Sequence, residues 1–213
     1  MIELDRQITL WINSLGCESW DGFWLFMSNA KVWFPLYAAI MALIIWKLGW
    51  KKGLIVIASL ILTVVATDQL SGLVKSFAHR LRPCYDPWML EHGVHAVAHP
   101  HSQFGFFSSH AANTFGFAIA SSIGLSNCLF KRDNCHSKGD NCHFEGDICH
   151  FERSRKIYFT TVYTSLIFLW ATLVSLSRVM LAAHFFGDIL VGAVFGLVVG
   201  CGIAMIVKSV IAK

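Results

Sequence analysis

With 213 residues the chain has room for one domain, residues 1–213, and 55% of it is hydrophobic while only 14% is charged, giving a mean hydropathy of +0.57. Soluble chains carry about 25% charged residues, so the shortfall argues against a water-solvated fold and for lipid as the solvent. A net charge of +4 is too small, and the Trp and Phe content too high, for a nucleic-acid binder.

The N-terminus, MIELDRQITLW, lacks the basic-then-apolar layout and small-residue cleavage site of a signal peptide, so insertion is expected to rely on internal apolar segments. Residues 2–15 place apolar side chains at Ile2, Leu4, Ile8, Trp11, Ile12 and Leu15, with Glu3, Asp5, Arg6 and Gln7 between them. That pattern predicts an amphipathic helix lying in the interface, and residues 1–30 are read as an interfacial N-terminal segment. Trp20–Met27 is aromatic-rich but short; it reads as a re-entrant or interfacial piece, or joins the residues before it into a further span.

Five stretches then approach the roughly 20 apolar residues a helical span needs: 32–48, 53–74, 105–130, 157–176 and 185–207. The expected fold is an all-α integral membrane protein, a bundle of five transmembrane helices (six if Trp20–Met27 is counted) plus the interfacial helix. Basic residues set the orientation. Lys47, Lys51 and Lys52 follow the first span, Lys131, Arg132, Lys138, Arg153, Arg155 and Lys156 follow the third, and Lys208 and Lys213 follow the fifth. These fall on one side, expected to be cytoplasmic, and three polar fragments emerge on the other: KSFAHRLRP (75–83), FSSH (107–110) and SRVMLAAHFFGD (177–188).

Between the third and fourth spans, residues 131–156 carry a seven-residue repeat with Cys-His pairs at 135/136, 142/143 and 149/150. Adjacent ligands every seven residues do not match the usual zinc spacings, so the loop reads as a low-complexity cytoplasmic expansion rather than a metal site. Cys128 and Cys201 lie in or near spans. Cys17 and Cys84 both fall on the oxidising side, where a disulfide between them is permitted but not dictated. The outer loop, 84–104, holds His92, His95, His99 and His101, which read as solvated loop histidines.

Each polar fragment has two readings. Lys75 and Arg82 are seven apart, so on a continuous helix they share a face before Pro83 ends it; they form a phosphate clamp or a snorkelling pair at a span end. His79 and Arg80 read as ordinary interfacial residues. Ser108, Ser109 and His110 open the third span, where a serine cap and free helix N–H groups already make an anion site, and nothing in the cap requires the histidine. In the third fragment His184 and Asp188 are spaced i, i+4, which sets a carboxylate beside an imidazole to fix its tautomer. An aspartate at a span end with no evident cation nearby is hard to explain as packing, so this fragment points to chemistry. Arg178 precedes the pair.

Taken together, Lys75-x6-Arg82-Pro83, Ser108 with His110, and Ser177-Arg178-x5-His184-x3-Asp188 resemble the three signatures of the type 2 phosphatidic acid phosphatase superfamily. The resemblance runs from the second span to the fifth. The first and third signatures are complete; in the second, Phe107 stands where the family has proline and Ser109 where it has glycine. The resemblance implies a metal-free, cofactor-free lipid phosphatase: His184, oriented by Asp188, as nucleophile through a phosphohistidine; His110 as acid to the leaving oxygen; and Lys75, Arg82, Arg178, Ser108 and backbone N–H groups at Ser109 around the phosphate. It further implies a bacterial inner-membrane protein with its site on the extracytoplasmic face. The implied partners are the bilayer and a membrane lipid phosphate, with no required protein partner. Undecaprenyl diphosphate is the first expected substrate, with phosphatidylglycerol phosphate and lipid A as alternatives. A non-enzymatic lipid-phosphate binder or transporter would keep the cations but would not need the His184–Asp188 pair.

Overall fold

A computed structural model of the chain describes residues 2–98, 100, 102–130 and 142–212. The expectations for the Cys-His repeat, for Cys128 and for His99 and His101 concern residues or side chains outside that description. The described residues are helical throughout, apart from loops and one isolated antiparallel bridge between Leu81 and Phe104. In chain order the helices are α1 (Ile2–Ser14), α2 (Glu18–Ser28), α3 (Phe34–Leu48), α4 (Trp50–Ala78), α5 (Pro87–Glu91), α6 (Ser109–Phe130), α7 (Cys142–Met180) and α8 (Phe186–Ala212).

Among the described residues, four helical stretches are long and apolar enough to cross a membrane: Ala30–Leu48, Trp50–Ala78, Arg153–Met180 and Phe186–Val210. The remaining expected span, the third at 105–130, corresponds to α6, which is 22 residues long but carries Asn113, Thr114, Ser121 and Ser122. It can be more polar because α4, α7 and α8 surround it. Its inward side chains meet other helices, while the long apolar helices turn Leu62, Leu166, Val194 and Val198 outward. α1 and α2, at 13 and 11 residues, are separate helices and individually too short to span.

The core pair is α6 against α8. Gly192, Gly196 and Gly200 form one stripe of α8, facing Ser108 just before α6 and Ala112 and Gly116 within it. Small residues at this spacing let two backbones approach closely where lipid supplies no hydrophobic drive between helices. A Cβ on Gly196 would collide with the Ala112 carbonyl, a backbone group that cannot swing aside. Gly196→Val should therefore separate α6 from α8. We expect a loss of about 2–4 kcal/mol, read as a lower unfolding midpoint in detergent; an unchanged midpoint would contradict this packing.

α1 turns polar side chains into the protein. Leu4 and Trp11 are 60% and 65% exposed, whereas Thr9 and Asn13 are 0% and 1% exposed. Asp5, Thr9 and Asn13, four residues apart, form a polar stripe turned into the protein. Asn13 donates to the carbonyls of Val179 and Met180 at the end of α7 and accepts from the His95 N–H of the outer loop at 2.8 Å. Thr9 accepts from the N–H of Phe186 at the start of α8. The stripe thus satisfies backbone groups that two helix ends leave open, while Leu4 and Trp11 face outward beside Glu3 and Gln7.

α1, α2 and α5 gather at the end of the bundle where α4 and α7 finish and α6 and α8 begin. All three polar fragments sit at that end. Cys17 is exposed and Cys84 buried, and both thiols are free, so the permitted disulfide is not formed.

Candidate active site

α4 stops earlier than the sequence suggests. It ends at Ala78, with His79 left-handed (φ 44°), and Arg82 is extended, as the residue before a proline prefers. Lys75 and Arg82 therefore do not share a helical face. The loop brings them together instead: Arg82 pairs its N–H with the Gln103 carbonyl, gives Nε to Ser102 O at 2.8 Å, and gives Nη1 to Ala183 O at 2.8 Å.

The turn between α7 and α8 is clamped from every side. Ala182 is left-handed (φ 55°) and buried. Its carbonyl accepts from Cys84 N, that of Leu181 from Ala98 N, and the N–H groups of Ala183 and His184 both return to Arg178 O. His184 follows in this turn, one residue short of the cap, and is 2% exposed. It is not in α8, as a simple i, i+4 reading assumes, yet Asp188 in the first turn of α8 still reaches it. Asp188 Oδ2 lies 3.7 Å from His184 Nδ1 and accepts from the Phe185 N–H at 3.1 Å.

The tautomer follows from Arg82. Its Nη1 lies 3.1 Å from His184 Nε2, and a guanidinium can only donate, so Nε2 must accept and the ring proton belongs on Nδ1, facing Asp188. Burial, reinforced by Arg178, Arg82, Lys75 and His110, holds the His184 pKa well below the ordinary imidazole value, keeping the ring neutral with its lone pair at Nε2.

Lys75, Arg82, Ser109, His110, Arg178 and His184 line one end of a cavity of about 650 Å³. Its other end is apolar, bounded by Trp33, Tyr37, Leu60, Phe117 and Trp170. Along α4 the lining runs from Lys75 to Ile57, about 27 Å at 1.5 Å per residue. Phe34 of α3 and Ile61 and Val65 of α4 line it yet remain exposed, so it opens sideways between those two helices. Arg178 reaches it by donating to Ser28 of α2. Among the described residues no three His, Cys, Asp or Glu side chains gather as a metal site.

Of the residues singled out in the sequence, six meet at the cavity and two do not. Asp188 lies behind His184. Ser108 is buried away from the cavity: its hydroxyl faces the Ala111 N–H at 3.5 Å, and its own N–H goes to Asp188 O. It caps α6 instead of facing the anion site. Ser109 does face the site, but through its hydroxyl, which accepts from Lys75 Nζ and lies 2.7 Å from Ser71 Oγ. The sequence reading missed Arg80. It is no interfacial bystander: Nη1 donates to Asp188 Oδ1 at 2.6 Å, supplying the cation that Asp188 lacked in the sequence. It sits in the same basic fragment as Lys75 and Arg82, so the residue was visible there and only its partner, 108 positions away, was hidden.

The sequence pattern of the PAP2 superfamily matches residues 52–211, three quarters of the chain. The chain belongs to that superfamily. Among curated relatives, a lipid A 4'-phosphatase of Bacteroides thetaiotaomicron is 28% identical over 196 residues, covering 91% of this chain and 72% of the relative. One from Porphyromonas gingivalis is 24% identical over 94% of this chain and 71% of the relative. Among solved structures, a transmembrane PAP2-type phosphatidylglycerolphosphate phosphatase from Bacillus subtilis superposes with a TM-score of 0.67 at 18% identity, covering 97% of this chain and 86% of that one. Aquifex aeolicus LpxE gives 0.58 at 21% identity, with 92% of each chain covered. At those identities the two structures speak for the PAP2 membrane fold.

Proposed function

We propose that this PAP2-superfamily lipid phosphatase removes a phosphate monoester from a lipid A-type substrate at the extracytoplasmic face of the bacterial inner membrane, without metal and through a phosphohistidine. The observation that carries the reading is His184: a neutral imidazole whose Nε2 lone pair faces a cation-lined cavity, with its Nδ1 proton aimed at a buried carboxylate. The cavity continues from those cations into an apolar chamber open toward lipid, a shape suited to a phosphate carried on hydrocarbon chains.

In the proposed reaction His184 Nε2 attacks phosphorus in line with the lipid oxygen. The P–N bond forms as the P–O bond to the lipid breaks, and His110 delivers a proton to the departing oxygen. Lys75, Arg82 and Arg178 hold the equatorial oxygens as their charge grows, with Ser109 fixing the Lys75 ammonium. Water then attacks the phosphohistidine, releasing inorganic phosphate and restoring the ring. The donor set supports a metal-free route, since the cavity presents cations where a metal centre would need clustered carboxylates or imidazoles.

Undecaprenyl diphosphate, first choice from sequence, gains no support from the two curated relatives, both lipid A 4'-phosphatases, which favour the lipid A alternative. The test is phosphate release by purified protein in detergent with EDTA present, on lipid A, phosphatidylglycerol phosphate and undecaprenyl diphosphate. Fastest turnover on lipid A is expected. Preference for either other lipid would overturn the substrate assignment, and strict dependence on added metal would overturn the metal-free route.

A further inference from the structure

Outside the cavity, a group of part-buried and buried charges joins the N-terminal helix to the nucleophile's carboxylate. Asp5 of α1 accepts from the Gly187 N–H through Oδ1 at 2.7 Å and from Arg80 Nη2 through Oδ2. Arg80 gives its other arm to Asp188 Oδ1 at 2.6 Å, and its guanidinium lies 4.3 Å over the Phe185 ring. Asp188 is 0% exposed, and its second oxygen faces His184 Nδ1. One guanidinium thus bridges two carboxylates, one from residues 52–211 and one from outside them.

The physical consequences run in two directions. A buried carboxylate without a cation carries a large uncompensated penalty, and the Arg80 guanidinium offsets part of it by favouring the ionised form of Asp188 behind His184. A planar fork held at both ends also fixes the plane of the carboxylate it grips. Asp5 supplies the far end of that grip. With Thr9 it also takes the first two N–H groups of α8, the turn of helix on which Asp188 stands.

We infer that Asp5 and Arg80 are positioning residues for the catalytic histidine, and that α1 is thereby a working part of the active site. Neither residue lines the cavity, so they act on the rate of His184 attack and leave substrate binding to Lys75, Arg82 and Arg178. This rests on the reading of His184 as nucleophile.

The test measures kcat, KM and the detergent unfolding midpoint on the full chain. Arg80→Gln should lower kcat about 10²-fold with KM within about twofold, the scale on which small misplacement of reacting groups is felt. Arg80→Lys keeps a cation but cannot bridge both carboxylates, and should fall between Arg80→Gln and the native protein. It also decides the matter if the Gln variant does not fold. Asp5→Ala should lose about 10-fold in kcat, and Asp5→Asn, which keeps an acceptor for Gly187, less. If Asp5 acts through Arg80, the double variant Asp5→Ala/Arg80→Gln is no slower than Arg80→Gln alone. Native kcat in Arg80→Lys and Asp5→Ala, or losses confined to KM or to the unfolding midpoint, would overturn the inference. His184→Ala run alongside separates the two claims: full turnover there removes the nucleophile assignment, whereas an inactive His184→Ala beside native Arg80 and Asp5 variants removes only this inference.

Discussion

Replacing His184 by alanine should lower phosphate release about 10⁴-fold or more, because it removes the imidazole whose Nε2 lone pair meets Arg82 in the cavity while its Nδ1 is turned toward Asp188. The comparison that checks it is single-turnover release by native and variant protein with equal unfolding midpoints; a variant that keeps full turnover ends the mechanism. The pH profile gives the same assignment a second edge. Burial, then Arg178, Arg82, Lys75 and His110, depress the His184 pKa, while Asp188 faces the ring from α8 with the opposite influence. The attacking form is the unprotonated one, so activity is lost as pH falls through that depressed pKa, and the native acid limb should lie below the ordinary imidazole range. Arg82→Gln removes one of the cations and should move that limb to higher pH. Substrate phosphate also titrates near pH 6 but does so identically for both proteins, so the difference between their profiles belongs to the enzyme. A limb that stays fixed would contradict the electrostatic account.

The second large effect is expected at Asp188. Asp188→Asn keeps the size of the side chain and an acceptor for the Phe185 N–H, but it presents an amide donor to Arg80 or to the Nδ1 proton of His184. The correct tautomer loses its holder, which in a comparable carboxylate–histidine pair costs about 10⁴-fold in kcat. Here the 3.7 Å separation is longer than a hydrogen bond, so a loss of about 10²–10⁴-fold is expected, with KM changed far less. Unchanged turnover would refute the role of Asp188, and a rise confined to KM would assign it to binding.

The residues that gather at the cavity were legible because the chemistry is expensive where they stand. An arginine, a histidine or an aspartate at the edge of an apolar run needs a partner, and six of the eight singled out do line one cavity. The two that do not, Ser108 and Asp188, show what spacing leaves open. Ser108 and Ser109 are chemically the same, and only the direction of the first turn of α6 decides which hydroxyl reaches Lys75. Asp188 was expected beside His184 on one helix; it arrives there from α8 while His184 waits in the preceding turn.

Composition and hydropathy alone determined that this chain is helical and lives in lipid, since long apolar segments have no other solvent and every backbone group must find its partner within the helix. Local spacing determined that Lys75, Arg82, Arg178, His110 and His184 fall at one end of those helices. Tertiary structure decided the rest. Only it could reveal that the N-terminal helix turns its polar stripe inward, because the pattern of α1 fixes two faces but not which meets protein. Only it could pair Arg80 with Asp188, for the reach of a guanidinium across 108 positions depends on where α4 ends and α8 begins. The physical reason is common to both: periodicity is local, whereas the partner of a buried charge is set by whichever helix packs beside it.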